Sequence, residues 1–166
     1  MPNAIPSTPA DGNVKVVVAT VAAGTVPTLT ELESAVDISC YLTADGFAYA
    51  MEQATISDER LCSTETFSLP GRKSHTLSLT GIDNTNSELE TEYNEFVEAL
   101  PEGASRVVVH RQGLPFDEPF AAGQKVRQIP IRVGAKAEVA PEANSVLRST
   151  ISTFVEGPST LVELAA

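Results

Sequence analysis

The segment from Val126 to Glu156 constrains the fold of this chain most. Ile129, Ile131, Val133, Ala135, Ala137 and Val139 fall on one parity, and Pro130, Arg132, Gly134, Lys136 and Glu138 on the other. Period-two alternation marks a strand with one buried face. A polar turn, Pro141 to Asn144, leads to a second extended run, Val146 to Glu156. Both runs exceed the common strand length of about five or six residues. Long strands whose second face mixes charged and small residues suit a curved sheet or a barrel lining something polar.

The remaining pattern is also mostly β. Met1 to Gly12 holds three prolines and reads as a mobile arm, so the chain divides into an arm over 1–13 and one domain over 14–166. VKVVVAT (14–20) is a strand ended by Gly24 and Pro27. Thr30 with Glu33 forms a capping box for a short helical turn. Val36–Leu42 and Phe47–Ile56 alternate around Asp45-Gly46, which predicts a hairpin over 36–56. A loop follows at Ser57–Ser63. A second hairpin turns at Pro70-Gly71 into Ser74–Ile82, where Ser74, Thr76, Ser78 and Thr80 carpet one face with hydroxyls.

One helix is expected, over 87–100. Leu89, Tyr93, Phe96, Val97 and Leu100 make a single apolar stripe opposite a row of glutamates. Ser87 and Glu90 form its capping box, with Asn84 or Asn86 as alternative caps, and Pro101 and Gly103 end it. Arg106–Arg111 is a short strand. Gln112–Gly123 is a loop of about a dozen residues, a length that is usually functional or contact-making. Leu161–Ala166 adds an edge strand.

With 166 residues, one ordinary domain can bury a real core. A net charge of −11 and a sequence pI near 4.5 argue against a reader of duplex DNA and against an anionic membrane surface. The acid is uneven: residues 1–103 hold sixteen Asp/Glu and four Lys/Arg, whereas 104–166 hold six and seven. No secretory signal is read at the start, and Val14–Val26 is too short for a membrane span. Cys40 and Cys62 are too few for a disulfide framework and sit in no metal-ligand spacing. His75 and His110 lie far apart and read as structural histidines. No nucleophile elbow, phosphate loop or dinucleotide fingerprint is present. Asp58 and Glu59 precede the only cation near Cys62, Arg60, so an activated thiol is disfavoured. No catalytic role, metal or cofactor is expected.

From Leu29 to Leu164 the chain resembles the major tail tube proteins of long-tailed (siphovirus-like) bacteriophages. The residues that carry this are Leu29-Thr30-Glu31-Leu32, Asp37-Ile38-Ser39-Cys40-Tyr41-Leu42, Asp45-Gly46-Phe47 and Asp58-Glu59-Arg60-Leu61-Cys62-Ser63. The Pro70-Gly71 turn, an acidic helix and the long C-terminal strand pair follow in the family's order. The resemblance implies a mainly β fold, a β-sandwich or half-barrel with one flanking helix. It further implies homohexameric rings whose inner strands join in one barrel, stacked into a tube that delivers the genome. The implied partners are further copies, the tape-measure protein, tail terminator and baseplate or tip proteins, and DNA in transient passage, without membrane insertion. The implied location is the virion, after assembly in the host cytoplasm.

Ser78, Arg132, Lys136 and Glu138 are then candidates for the lumen face, and Phe116, Asp117, Glu118 and Phe120 for contacts between rings. Lumens in this family are generally electronegative, and Arg132, Lys136 and nearby Arg148 are not. Either other strands line the channel, with Glu52 and Glu65 as candidates, or these cations pair with carboxylates across subunits. The alternative function is a ligand- or carbohydrate-binding β-sandwich of another virion component. Such a module needs clustered aromatics, and here only Phe116 and Phe120 lie together.

Overall fold

A computed structural model describes residues 5–22 and 24–165. The start of the predicted arm, residues 1–4, and Ala166 at the end of the predicted edge strand lie outside the described residues. The strands are β1 (Val14–Ala19), β2 (Val36–Asp37), β3 (Leu42–Asp58), β4 (Phe67–Ile82), β5 (Ser105–Gln112), β6 (Lys125–Glu138), β7 (Arg148–Val155) and β8 (Thr160–Glu163). All belong to one antiparallel sheet of order β2-β1-β5-β6-β7-β4-β3, with β8 pairing the start of β6. The mainly β, half-barrel class expected from the sequence is the observed one.

The sheet curls. β5 and β3 stand at opposite ends of the path β5-β6-β7-β4-β3, yet the Phe47 ring stacks on His110 with centroids 4.3 Å apart. Arg127 of β6 likewise lies over the Tyr49 ring of β3, 5.5 Å from its centroid. The concave face encloses the main core: Val16, Val18, Val108, Ile129, Ile131, Val133, Ile151, Leu77 and Leu79, plugged by Ile38, Phe96 and Leu100. A smaller core forms on the convex face over β1, β5 and the start of β6. There Val17, Val107, Val109 and Val126 meet Leu32, Phe120 and Leu164. β1 and β5 are therefore covered on both sides, which is why VKVVVA and RVVVHR read as near-continuous apolar runs.

Outside the expected helix, local chemistry departs from the predicted pattern at four places. The capping box of α1 (Leu29–Glu33) uses Thr28 and Glu31, two residues before the expected pair. Val36–Leu42 is not a hairpin arm: after β2, residues 38–41 turn, and β3 begins at Leu42. Asp45-Gly46 is a bulge within β3, between the pairs Leu42–Gly81 and Phe47–Leu79. Gly46 is required there, because a Cβ would strike the Thr80 carbonyl. Pro70-Gly71 is likewise absorbed as an irregularity in β4, so both hairpins give way to a single long one, β3–β4.

The helix expected over 87–100 shortens to one turn, α2 (Glu95–Glu98). Asparagine competes with the helix backbone there. The Asn84 side chain donates to the Tyr93 carbonyl, Asn94 Oδ1 accepts from the Asn84 amide, and Asn86 adopts a positive φ of 65°. With the Tyr93 carbonyl engaged, the Val97 N–H bonds Asn94 instead. Glu90 reaches back to the Asn86 amide, and Leu89 and Tyr93 stay exposed. Only the second half of the stripe is buried.

Both histidines are structural. The His75 ring hydrogen-bonds the Tyr49 hydroxyl at 2.9 Å. His110 is pushed down to about 4, first by burial and then by the Arg127 charge. Between its ordinary value of 6.5 and about 4 the unfolded chain holds a proton on this residue that the folded chain does not. Stability therefore falls as pH falls through that window, by at most about 3 kcal/mol. Urea titrations at pH 7 and 4.5 should show this loss in the parent and a clearly smaller one in His110→Gln; equal losses would refute it. Phe96 is fully buried against Gly81. Phe96→Ala should cost about 3–5 kcal/mol, read from the same urea curves, and a loss under about 1 kcal/mol would mean the one-turn helix does not seal the core.

Candidate functional site

Half of the convex face is uncovered. The register places Ala48, Ala50 and Glu52 of β3 beside Ser78, Thr76 and Ser74 of β4, and Ser78 and Thr80 beside Ser152 and Thr150 of β7. Phe154 pairs with Arg132 on the same face and is 67% exposed. The surface is thus built of hydroxyls and methyls, with scattered charge. Where β4 and β7 meet, the Thr80 and Thr150 hydroxyls bond each other at 2.8 Å.

A bulge decides which residues of β6 share this face. Val133 pairs with Thr153 and Lys136 with Ile151, so Gly134 and Ala135 together oppose Ser152. One extra residue inverts the alternation beyond it. Arg132 lies on the bare face with Ser78, whereas Lys136 and Glu138 lie on the concave one. Ala135 and Ala137, expected inward, are exposed. The four lumen candidates therefore divide two and two between the faces. Gly134 permits the bulge: a Cβ would come 2.9 Å from the Ser152 carbonyl and 3.0 Å from the Phe154 ring.

The cations pair with carboxylates of the same chain. Arg132 binds Glu156 at 2.6 Å and donates to the Gly103 carbonyl. Arg148 stands 3.5 Å from Glu142. Lys136 Nζ donates to Asp83 Oδ2 at 2.8 Å, where Ser149 also donates and Thr85 caps the other oxygen. Burial alone would raise the Asp83 carboxyl, but these hydrogen bonds outweigh it and hold the group well below the usual carboxylate range. Glu52 lies on the bare face, and Glu65 in the exposed loop after β3. No sequence signal pointed to Asp83, because Lys136 and Ser149 are 53 and 66 residues away from it.

The loop after β5 is organised by a buried arginine. Arg111 is 1% exposed and donates to the carbonyls of Pro115 and Pro119 and to Gln124 Oε1. Its guanidinium lies 5.2 Å from the Phe120 ring centroid. Phe120 is consequently a member of the second core, 8% exposed, while Phe116, Asp117 and neighbouring surface stay outside. The backbone N–H of Phe116 bonds the Gly12 carbonyl, which seats the loop on the start of β1. Phe116 and Phe120 do not form an aromatic cluster.

Two unpaired edges border the bare face. β3 ends the strand order, and its outer side has no strand partner over 17 residues. β5 ends beside Arg132, and after Val133 bonds the 103–104 backbone, Gly134–Glu138 also lacks a strand on that side. Among the described residues no cluster of three His, Cys, Asp or Glu offers a metal site. Among the same residues no helix is long and apolar enough to cross a membrane.

The family model described as "Phage tail tube protein" matches residues 1–166. The fold is similar to a chain in the six-fold symmetrised cryo-EM structure of the anti-feeding prophage (AFP) baseplate. That match has a TM-score of 0.52 and 14% identity, covering 97% of this chain and 98% of the other. No curated protein matches the chain.

The Asp83–Lys136 pair gives a stability prediction. Lys136→Met leaves a mostly buried carboxylate without its cation and should cost about 2–3 kcal/mol at pH 7. Because the folded Asp83 carboxyl lies below its ordinary value of 3.8, its stabilisation is complete above 3.8 and is lost as pH falls below it. The variant should therefore lose less on acidification than the parent in urea titrations. A cost under about 0.5 kcal/mol, as for a screened surface pair, would contradict this.

Proposed function

The chain belongs to the phage tail tube protein family, and on that premise we propose that it closes rings through its two free edges and stacks them into a tube. The observation that carries this reading is the four-stranded, uncovered segment β6-β7-β4-β3 with an unpaired edge at each side. An even number of antiparallel strands presents opposite directions at its two edges. β3 of one copy would then meet Gly134–Glu138 of the next in the antiparallel sense, and copies repeated around an axis would form one continuous barrel. Closure would also remove the exposed edge, a standing aggregation hazard.

Six copies per ring is the reading favoured by the six-fold symmetrised assembly that contains the similar fold. The bare face would line the channel, bringing Ser78, Arg132 and Glu52 to the lumen. Lys136 and Glu138, on the other face, would not be there. A wall of hydroxyls and alanines, with Arg132 neutralised by Glu156, offers DNA few cationic contacts, and phosphate contacts dominate its adhesion. The tape-measure protein would occupy the same channel during assembly, and terminator and tip proteins would cap its ends. Phe116, Asp117 and Glu118 remain candidates for contact between rings, with Phe120 as the buried anchor of their loop. Assembly would take place in the host cytoplasm and the product would be a virion component.

Negative-stain electron microscopy of the purified protein across a concentration series tests this reading. Rings or tubes with a central hole of uniform diameter are expected. A species that stays monomeric at millimolar concentration, on the order of that needed for weak self-association, with no ring under any condition, would overturn it.

A further inference from the structure

The tripeptide Ala-Asp-Gly occurs twice in this chain, at 10–12 and at 44–46. An aspartate followed by glycine can close a ring onto its own backbone, because no Cβ on the glycine hinders the approach of its nitrogen to the carboxyl. Closure needs a carboxyl free to swing onto that nitrogen and an intervening peptide free to rotate. The fold places the two tripeptides in opposite surroundings.

At 44–46 the tripeptide lies inside β3, and Gly46 is buried. The pairs Leu42–Gly81 and Phe47–Leu79 hold both flanks, and the Thr80 carbonyl stands where a Cβ on Gly46 would be. Asp45 Oδ1 accepts from the Thr43 hydroxyl at 3.0 Å. Ring closure there has to wait for β3 to open locally. At 10–12 the same three residues are exposed. Asp11 and Gly12 are the central residues of a turn closed by the Asn13 N–H on the Ala10 carbonyl at 3.1 Å, with Gly12 at a φ of 74°. Among the described residues nothing hydrogen-bonds the Asp11 carboxylate or the Gly12 N–H. Residues 5–10 belong to no strand, so this turn can flex without disturbing the sheet.

We propose that Asp11 is a site of spontaneous aspartate isomerisation, and that Asp45 is protected from it by the fold. The Gly12 nitrogen attacks Asp11 Cγ. An N–Cγ bond forms, a Cγ–O bond breaks, and the oxygen leaves as water with the amide proton and one proton from solvent. Water then adds to one of the two carbonyls of the cyclic imide. Cleavage of the N–Cγ bond restores aspartate. Cleavage between the nitrogen and the backbone carbonyl carbon of Asp11 sends the chain through the side-chain carbon, one backbone atom longer. The reaction belongs to the single chain and does not depend on assembly.

The position gives the change a structural consequence. Ala10, Asp11 and Gly12 form one wall of an apolar crevice of about 300 Å³, facing Phe47 and Phe116. The longer backbone breaks the turn between Ala10 and Asn13 and frees the arm from this wall. The carbonyls of Gly12 and Asn13 lie beyond the insertion and continue to accept from the Phe116 and Gly113 amides, each at 2.9 Å. The arm is released while the loop stays seated.

The test ages the purified full-length protein in heavy-oxygen water at neutral pH and maps its peptides by mass spectrometry with electron-transfer fragmentation, which separates isoaspartate from aspartate. Each passage through the imide leaves one solvent oxygen at the site. Label and isoaspartate should accumulate at Asp11 faster than at Asp45 by about tenfold or more. In guanidinium chloride the two sites should react at similar rates, since their local sequence is the same. Asp11→Glu should remove the signal at 11 and leave that at 45 unchanged. In the aged protein the Asn13 amide should lose protection from hydrogen exchange while the Phe116 amide keeps it. No label at Asp11, or equal label at both sites in the folded protein, would overturn the assignment. Loss of protection at Phe116 together with Asn13 would overturn the selective release of the arm.

Discussion

Backbone hydrogen bonding in an open sheet is the constraint from which the rest of this molecule follows. Eight antiparallel strands satisfy one another everywhere except at the two ends of the order and where neighbours differ in length. β2 makes one end negligible, since it is two residues long. The other end is a strand of 17 residues with one side open, and a second open stretch lies at Gly134–Glu138. Unpaired backbone polar groups are tolerated in water but invite another strand. Natural proteins usually blunt such edges. Here they are long and flank a sheet face that nothing among the described residues covers, the combination expected where another copy completes the sheet.

Covering is divided with economy of sequence. α1, the Arg111-centred loop and the C-terminal strand bury the convex face over β1, β5 and the start of β6, and stop there. The change from covered to bare falls along β6, and the bulge at Gly134 marks it. Before the bulge, Val126, Gln128 and Pro130 on the Arg132 face are buried, Val126 within the second core; after it, that face carries exposed alanines. The same inversion delivers Lys136 to the concave side, where Asp83 would otherwise be a buried carboxylate without a cation. One glycine thus sets both the composition of the exposed face and the closure of the polar end of the core.

The strands were legible in the sequence because their patterns are local signals: β4 after Ser74, β6 and β7 are found where period two occurs, and β1 and β5 where the apolar run is continuous. Breakers were less informative. Asp45-Gly46 and Pro70-Gly71 have turn chemistry, yet pairing with the opposite strand makes bulges of them. The stripe from Leu89 to Leu100 has helical spacing, but asparagine side chains capture the backbone groups a helix needs. The division of Ser78 and Arg132 from Lys136 and Glu138 was illegible, since a one-residue bulge leaves no trace in an alternating pattern except the glycine itself. In sequence Phe120 reads as a contact candidate beside Phe116, because its partner Arg111, a buried cation held by carbonyls and a ring, looks like any strand-end arginine.

Amide hydrogen exchange at single-residue resolution, compared between dilute monomer and assembled protein, tests most directly whether the free edges are the joints. Amides of β3 that point away from β4, and those of Gly134–Glu138 that point away from β7, should exchange rapidly in the monomer and slow by about a hundredfold or more on assembly. If they keep their monomer rates while protection appears elsewhere, the open edges are not where copies of this chain join.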